Sequence, residues 1–254
     1  MLELIPDGLP LTEALILFAA SFLGSFITAA LGVGGGAFLI TVMAGIVPPI
    51  ALVPVHGVVQ LGSNASRAFL SRQYLDRPRL FWFVAGAVIA VAGGVWLVGS
   101  LDTQLIPLFI ALFVLWITWL PMPKIGLGRT RVGLAVGGFI TTLASFLVGA
   151  SGPLVSAWLS KDAHNKWHYT ALFSTAMSIQ HLLKIIVFGA IGFAFSAWIP
   201  VMAGMIVLGY LGTKSGLKLL GKLPEARFRL LYRWFLTLLA VRLLVMWWLS
   251  LSAS

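Results

Sequence analysis

The chain has 254 residues, of which 60% are hydrophobic and 9% charged, and its mean hydropathy is +1.03. Soluble domains carry about 25% charged residues, so this composition excludes a water-soluble fold; long unbroken apolar runs also exclude a membrane β-barrel, whose strands alternate in polarity. A net charge of +10 would point a soluble protein toward nucleic acid, but here the basic residues sit in short loops between apolar segments, and the lack of cysteine excludes disulfides and thiolate metal sites.

In chain order, the apolar runs predict segments over about 12–31, 36–47, 52–71, 80–99, 104–120, 132–149, 153–160, 169–190, 197–213 and 233–250. Glu3, Asp7 and Glu13 occupy the N-terminus, where a cleavable signal peptide would be basic, so none is expected. Segments 36–47 and 153–160 are too short to span a bilayer. Each follows a small-residue break, Gly32-Val33-Gly34-Gly35-Gly36 and Gly149-Ala150-Ser151-Gly152-Pro153.

Charge orients the segments. Apart from Arg67, Lys184 and Arg242, every lysine and arginine falls in 71–79, 121–131, 161–168 or 214–233. The other connections carry none. Basic loops stay cytoplasmic, so both termini are expected outside. With 52–71 running inward, 12–47 begins and ends outside; 132–160 likewise begins and ends inside. Both Gly-broken stretches are therefore expected to be hairpins turning within the membrane, one entering from each face. Irregular backbone at that depth is tolerated only where protein or a watery cavity satisfies it.

The halves also align. A shift of 117 residues puts Phe22 on Phe139, Gly32 on Gly149, Gly35 on Gly152 and Arg67 on Lys184; a shift of 118 puts Gly86 on Gly204 and Gly94 on Gly212. Equivalent segments with opposite topology make an inverted repeat, a recurring plan of secondary transporters.

All seven acids lie in loops or at the termini, whereas the spans hold Arg67, Lys184 and Arg242. A charge near the bilayer centre costs about 2.5–3.5 kcal/mol, so it normally faces a cavity or a partner. With no internal counter-ion, a bound anion is the economical partner. Snorkelling to the headgroups is the alternative for Arg67 and Lys184. Arg242 lacks a mate in the first half and sits beside Trp247 and Trp248.

His56, Gln60, Asn64 and Arg67 recur at i, i+4, i+8 and i+11, one face of a helix. Thr170, Ser174, Met177 or Ser178, His181 and Lys184 form the corresponding stripe in the second half. Such stripes line a pathway or act as interhelical hydrogen-bonding glue, an alternative that weighs most on Gln60 and Ser174. His56 and His181 either shuttle protons or merely hydrogen-bond. The glycines at the tips let backbone N–H groups approach an anion at the N-terminus of a short helix, or serve close helix packing.

Gly149-Ala150-Ser151-Gly152 also matches the nucleophile pattern of rhomboid intramembrane proteases, with His181 as base. That family places its histidine after an intervening span, whereas His181 lies on the next one, and Ser151 aligns with Gly34. His164 and His168 share a basic loop with Lys161 and Lys166, without a second cluster of metal ligands.

The run Ala30-Leu31-Gly32-Val33-Gly34-Gly35-Gly36, then Pro48-Pro49, Pro54 and Gln60-Leu61-Gly62-Ser63-Asn64-Ala65-Ser66-Arg67, resembles the TauE/SafE sulfite exporter family over nearly the whole chain. The resemblance implies a bacterial inner-membrane permease for sulfite or organosulfonates such as sulfoacetate. Asn64 and Arg67 match the polar end of the family's first-half motif. The second half departs at His181, where such proteins often carry asparagine.

The expectation is an all-α polytopic membrane protein of two inverted repeats, 1–120 and 121–254, each a re-entrant hairpin plus three spans. It is a transporter and not an enzyme, with no cofactor or metal and no nucleic acid. A midplane site for a small anion is expected from Gly34, Gly35, Gly36, Gln60, Asn64, Arg67, Ser151, Gly152, His181 and Lys184, working by alternating access with or without proton coupling. A passive anion channel is the competing class. The membrane lipid surrounds the spans, and a homodimer is left open.

Overall fold

The computed structural model describes residues 9–120, 126–159, 165–220 and 225–252. Glu3, Asp7, Lys124, Lys161, Asp162, His164 and Lys222, which entered the charge argument, lie outside the described residues. The described residues are helical, with no strand among them: α1 (Leu11–Leu31), α2 (Gly35–Met43), α3 (Pro49–Ser71), α4 (Arg77–Gly99), α5 (Ile106–Trp119), α6 (Arg131–Val148), α7 (Gly152–Leu159), α8 (Lys166–Ala190), α9 (Ile199–Leu217) and α10 (Glu225–Ser252).

Six of these are long and apolar enough to cross a membrane: α1, α4, α6, α8, α9 with its lead-in, and α10. The first arms of the two expected hairpins, α1 with 21 residues and α6 with 18, are each long enough to cross on their own. The returning helices are short, as expected, at 9 and 8 residues. At 23 residues α3 has the length to cross but not the apolarity, because it carries the polar stripe on a face that the protein buries.

Helix ends follow local chemistry. Asp76, Thr130 and Asn165 accept backbone N–H bonds at the starts of α4, α6 and α8, satisfying donors that a first turn leaves free. Gly32 and Gly149 close α1 and α6 with positive φ (93° and 72°), where a side chain would be strained. Their N–H groups return to the carbonyls of Thr28 and Ser145. The two glycines aligned by sequence thus make the same turn.

The principal helix pairings are α1 on α9, α4 on α6, α3 on α8 and α5 on α10, with α3 also against α9 and α4 against α8. Exchanging α1–α5 with α6–α10 returns the same set of principal pairs; contacts of α2 with α5 and α10, and of α6 with α5 and α3, depart from it. The closest interfaces rest on glycine. A Cβ on Gly94 would strike the Phe146 ring across α4 and α6, and one on Gly212 would strike the Phe22 carbonyl across α9 and α1. The outer surface carries Phe69, Ile89, Trp96, Leu238 and Trp248 at 60% exposure or more. Apolar exposure on that scale belongs in lipid, not in water.

Candidate functional site

The two polar stripes meet where α3 crosses α8. Gly57 makes the crossing close: a Cβ there would lie 2.9 Å from Lys184 Cδ. Arg67 and Lys184 are buried, at 2% and 0% exposure. Neither side chain snorkels; both heads stay inside the protein. Lys184 Nζ donates to the Gly149 carbonyl (2.7 Å) and stands 3.4 Å from His181 Nδ1. Arg67 Nη2 donates to Asn64 Oδ1, the guanidinium lies over the Phe173 ring (5.5 Å), and Nε has no partner. Asn64 Nδ2 in turn donates to the Gln60 carbonyl (2.8 Å). Among the described residues no carboxylate reaches either cation.

Between the helix tips lies a cavity of about 20 Å³, room for one water-sized group. Of the ten residues expected at the site, Gly34, Gly36, Gln60, Asn64, Gly152 and His181 line it. Arg67 and Lys184 stand behind this lining, coupled to it through Asn64 and His181. Gly35 packs away from the cavity, against the Gly24 carbonyl of α1. The Ser151 hydroxyl also points elsewhere, donating to Gln180 Oε1 (2.9 Å) and not to a histidine. The first turns of α2 and α7 border the cavity together, so two helix N-termini converge on one small volume, although Pro153 in the first turn of α7 has no N–H to offer.

Several lining residues lay outside the expected set. His56 is fully buried, its Nε2 3.0 Å from the Gly36 carbonyl, and its ring centroid lies 5.9 Å from that of His181. It heads the first-half stripe, so the helical spacing did point at it. Thr28, Phe173 and Met177 also line the cavity, with Ala37, Ala150 and Pro153 of the two tips, and neither Thr28 nor Phe173 carried a distinguishing sequence signal. On the second stripe, Ser174 and Ser178 bond to the carbonyls of Thr170 and Ser174 within α8, which removes both from the lining. Arg242 is exposed and lies beside Gly45 at the end of α2, away from this cavity. His168 is held by Asn165 and by the Tyr74 ring.

Behind the second tip sits a buried network that the sequence reading did not anticipate. Gln180 Nε2 donates to Thr141 Oγ1 (2.7 Å) and Thr142 Oγ1 (2.9 Å), while its Oε1 accepts from Ser151. Three bonds tie α6, α8 and the 149–152 turn together, which fixes the tip that borders the cavity. Gln180→Leu removes all three, and with interhelical bonds worth roughly 0.6–1 kcal/mol each in membranes, a loss of about 2 kcal/mol is expected. Thermal unfolding of purified variant against parent checks this.

A larger cavity, about 410 Å³, adjoins the central one through shared lining at Gly34, Ala37 and Pro153. It lies at the end of the molecule that carries the basic loops, walled by Ile117 and Thr118 of α5 and Tyr232 and Arg233 of α10. The Tyr232 ring rests against Gly34.

A family model described as sulfite exporter TauE/SafE matches residues 17–243. The chain belongs to the TauE/SafE sulfite exporter family. No curated protein and no solved structure matches it. This TauE/SafE protein is accordingly a multi-pass membrane transporter of the sulfite-exporter type.

Proposed function

We propose that this TauE/SafE protein is a secondary transporter that carries a small oxyanion, sulfite or an organosulfonate, by alternating access around the cavity between its two helix tips. The observation that carries the proposal is the pair Arg67 and Lys184: both are buried, both are coupled to the cavity lining, and among the described residues no acid reaches either. Burying uncompensated charge is costly, and an anion arriving at the cavity relieves it. Its oxygens would accept charge-assisted bonds from the site and backbone N–H bonds from the starts of α2 and α7.

The exchange symmetry of the helix pairings, together with the matching Gly32 and Gly149 turns, supports two inverted repeats, 1–120 and 121–254. In that arrangement the basic loops are cytoplasmic, both termini are periplasmic, and the large cavity is a vestibule open to the cytoplasm of a bacterial inner membrane. A central cavity of about 20 Å³ is too small for a sulfonate. Entry therefore requires the helices around it to part, which favours a carrier over a continuously open channel.

Reconstituted protein is expected to take up sulfite with a rate that saturates, and to show counterflow of labelled substrate. Single-channel currents, or uptake linear to high concentration, would replace the carrier with a passive pore. A thermal-shift panel of sulfite, thiosulfate, sulfonates and carboxylates ranks the substrates; absence of stabilisation by any oxyanion would remove the anion site itself.

A further inference from the structure

His56, which lines the cavity, carries one bare acceptor. His56 Nε2 lies 3.0 Å from the Gly36 carbonyl, which only accepts, so the hydrogen of a neutral His56 is on Nε2 and Nδ1 holds a lone pair. That Nδ1 is buried and has no partner. On the facing helix the pattern is reversed. His181 Nδ1 lies 3.4 Å from the Lys184 ammonium, which only donates, so the hydrogen of His181 is on Nε2, and this atom too is buried without a partner. The two rings meet edge to face, with centroids 5.9 Å apart, and both line the same cavity.

We infer that the site takes its anion together with one proton, held between His56 Nδ1 and an oxygen of the bound anion, while His181 Nε2–H donates to another oxygen. The inference rests on the anion-site proposal and specifies its substrate as a hydrogen-bearing oxyanion, of the hydrogensulfite type, or an equivalent anion plus proton. A fully deprotonated oxyanion offers acceptors only. It would set a lone pair against the lone pair of His56 and leave that buried nitrogen unsatisfied. One proton turns the mismatch into a hydrogen bond. The charged and titratable groups near this position are His181 and Lys184 from α8 and Arg67 further along α3; α2 and the 149–152 turn contribute the carbonyls of Gly36 and Gly149. None is a carboxylate, and the lone pair of His181 Nδ1 already faces the Lys184 ammonium, which leaves His56 Nδ1 to share the proton with the anion.

The test is calorimetric titration of the purified full chain with sulfite at pH 8, in buffers of different ionisation enthalpy, which counts protons taken up per anion bound. Wild type is expected to take up about one. His56→Gln places an amide N–H where Nε2–H was and offers on its other arm an amide oxygen, a far weaker base than Nδ1. It is expected to keep its unliganded melting temperature, to take up no proton, and to bind sulfite at least about tenfold more weakly at pH 6, the cost of losing one hydrogen bond to a charged group. His181→Gln, which keeps a donor toward the cavity, is expected to retain the proton count. Sulfite binding by wild type with no proton uptake would overturn the inference and leave the anion site standing; so would an unchanged proton count in His56→Gln. If His56→Gln does not fold, the wild-type count alone decides. Wild type that binds no sulfite at all would overturn the anion-site proposal and this inference with it.

Discussion

Lys184→Met is expected to insert and fold but to lose sulfite binding by at least about thirtyfold, because truncating one partner of a buried charge pair costs about 2–5 kcal/mol. The same result is expected for Arg67→Met. The unliganded proteins should behave differently from the liganded ones. Methionine fills the lysine's volume with an apolar chain, and removing a buried ammonium relieves a desolvation cost. Against that gain stands the Gly149 carbonyl, which loses the donor that now lies 2.7 Å away, a cost of about 1–3 kcal/mol. The two effects oppose, so the melting temperature without substrate should move little while the stabilisation by sulfite disappears. Thermal shift with and without sulfite separates them. Undiminished binding in both variants would remove these cations from the site.

Gly35→Ala and Gly152→Ala are expected to differ sharply even though the two positions align in the internal repeat. A Cβ on Gly35 would collide with the Gly24 carbonyl and the Thr28 hydroxyl, and the carbonyl belongs to the α1 backbone, which has no rotamer to escape into. Helices α1 and α2 must separate, displacing the first tip from the cavity. A cost of about 3 kcal/mol or more is expected from overpacking at a backbone contact, seen as loss of folded protein in detergent. A Cβ on Gly152 would meet only the Phe173 ring at 3.5 Å and Val33 at 3.8 Å, which are ordinary contacts, and its φ is not positive. Gly152→Ala should fold within about 1 kcal/mol of the parent. Equal damage at both positions would contradict the asymmetric packing of the tips.

Much of this molecule was legible along the chain. Hydropathy set the segments, and each of the ten expected runs overlaps a single described helix; 36–47 is shorter in the structure, where α2 ends at Met43, while α9 runs on to Leu217 and α10 begins at Glu225, well before 233. Helical spacing placed His56, Gln60, Asn64 and Arg67 on one face, and that face is the one α3 buries. The alignment of Gly32 with Gly149 marked two turns of the same conformation. The second-half stripe was less informative. Serine on a helix can bond its own preceding turn, and Ser174 and Ser178 do so, a choice that periodicity does not reveal. Gln180 was overlooked because it neighbours His181 and falls off the stripe, yet it organises the tip through Thr141, Thr142 and Ser151.

Order along the chain was enough to show a helical membrane protein, two short helices after glycine breaks, and cations within the spans with no acid at their depth, since Glu13 falls in the first turn of α1 and Glu225 begins α10. Those conclusions follow from transfer free energies and helical period, which are properties of residues taken in order. Only the tertiary structure decided that Arg67 and Lys184 turn inward instead of reaching the headgroups, and that Gly35 and Ser151 face away from the cavity. It also decided that His56 and His181 confront one another with opposite free nitrogens. Those facts depend on which neighbour each face meets: α8 across α3 for the two histidines, α1 for Gly35, and Gln180 of α8 for Ser151. A one-dimensional pattern specifies a face without specifying its neighbour.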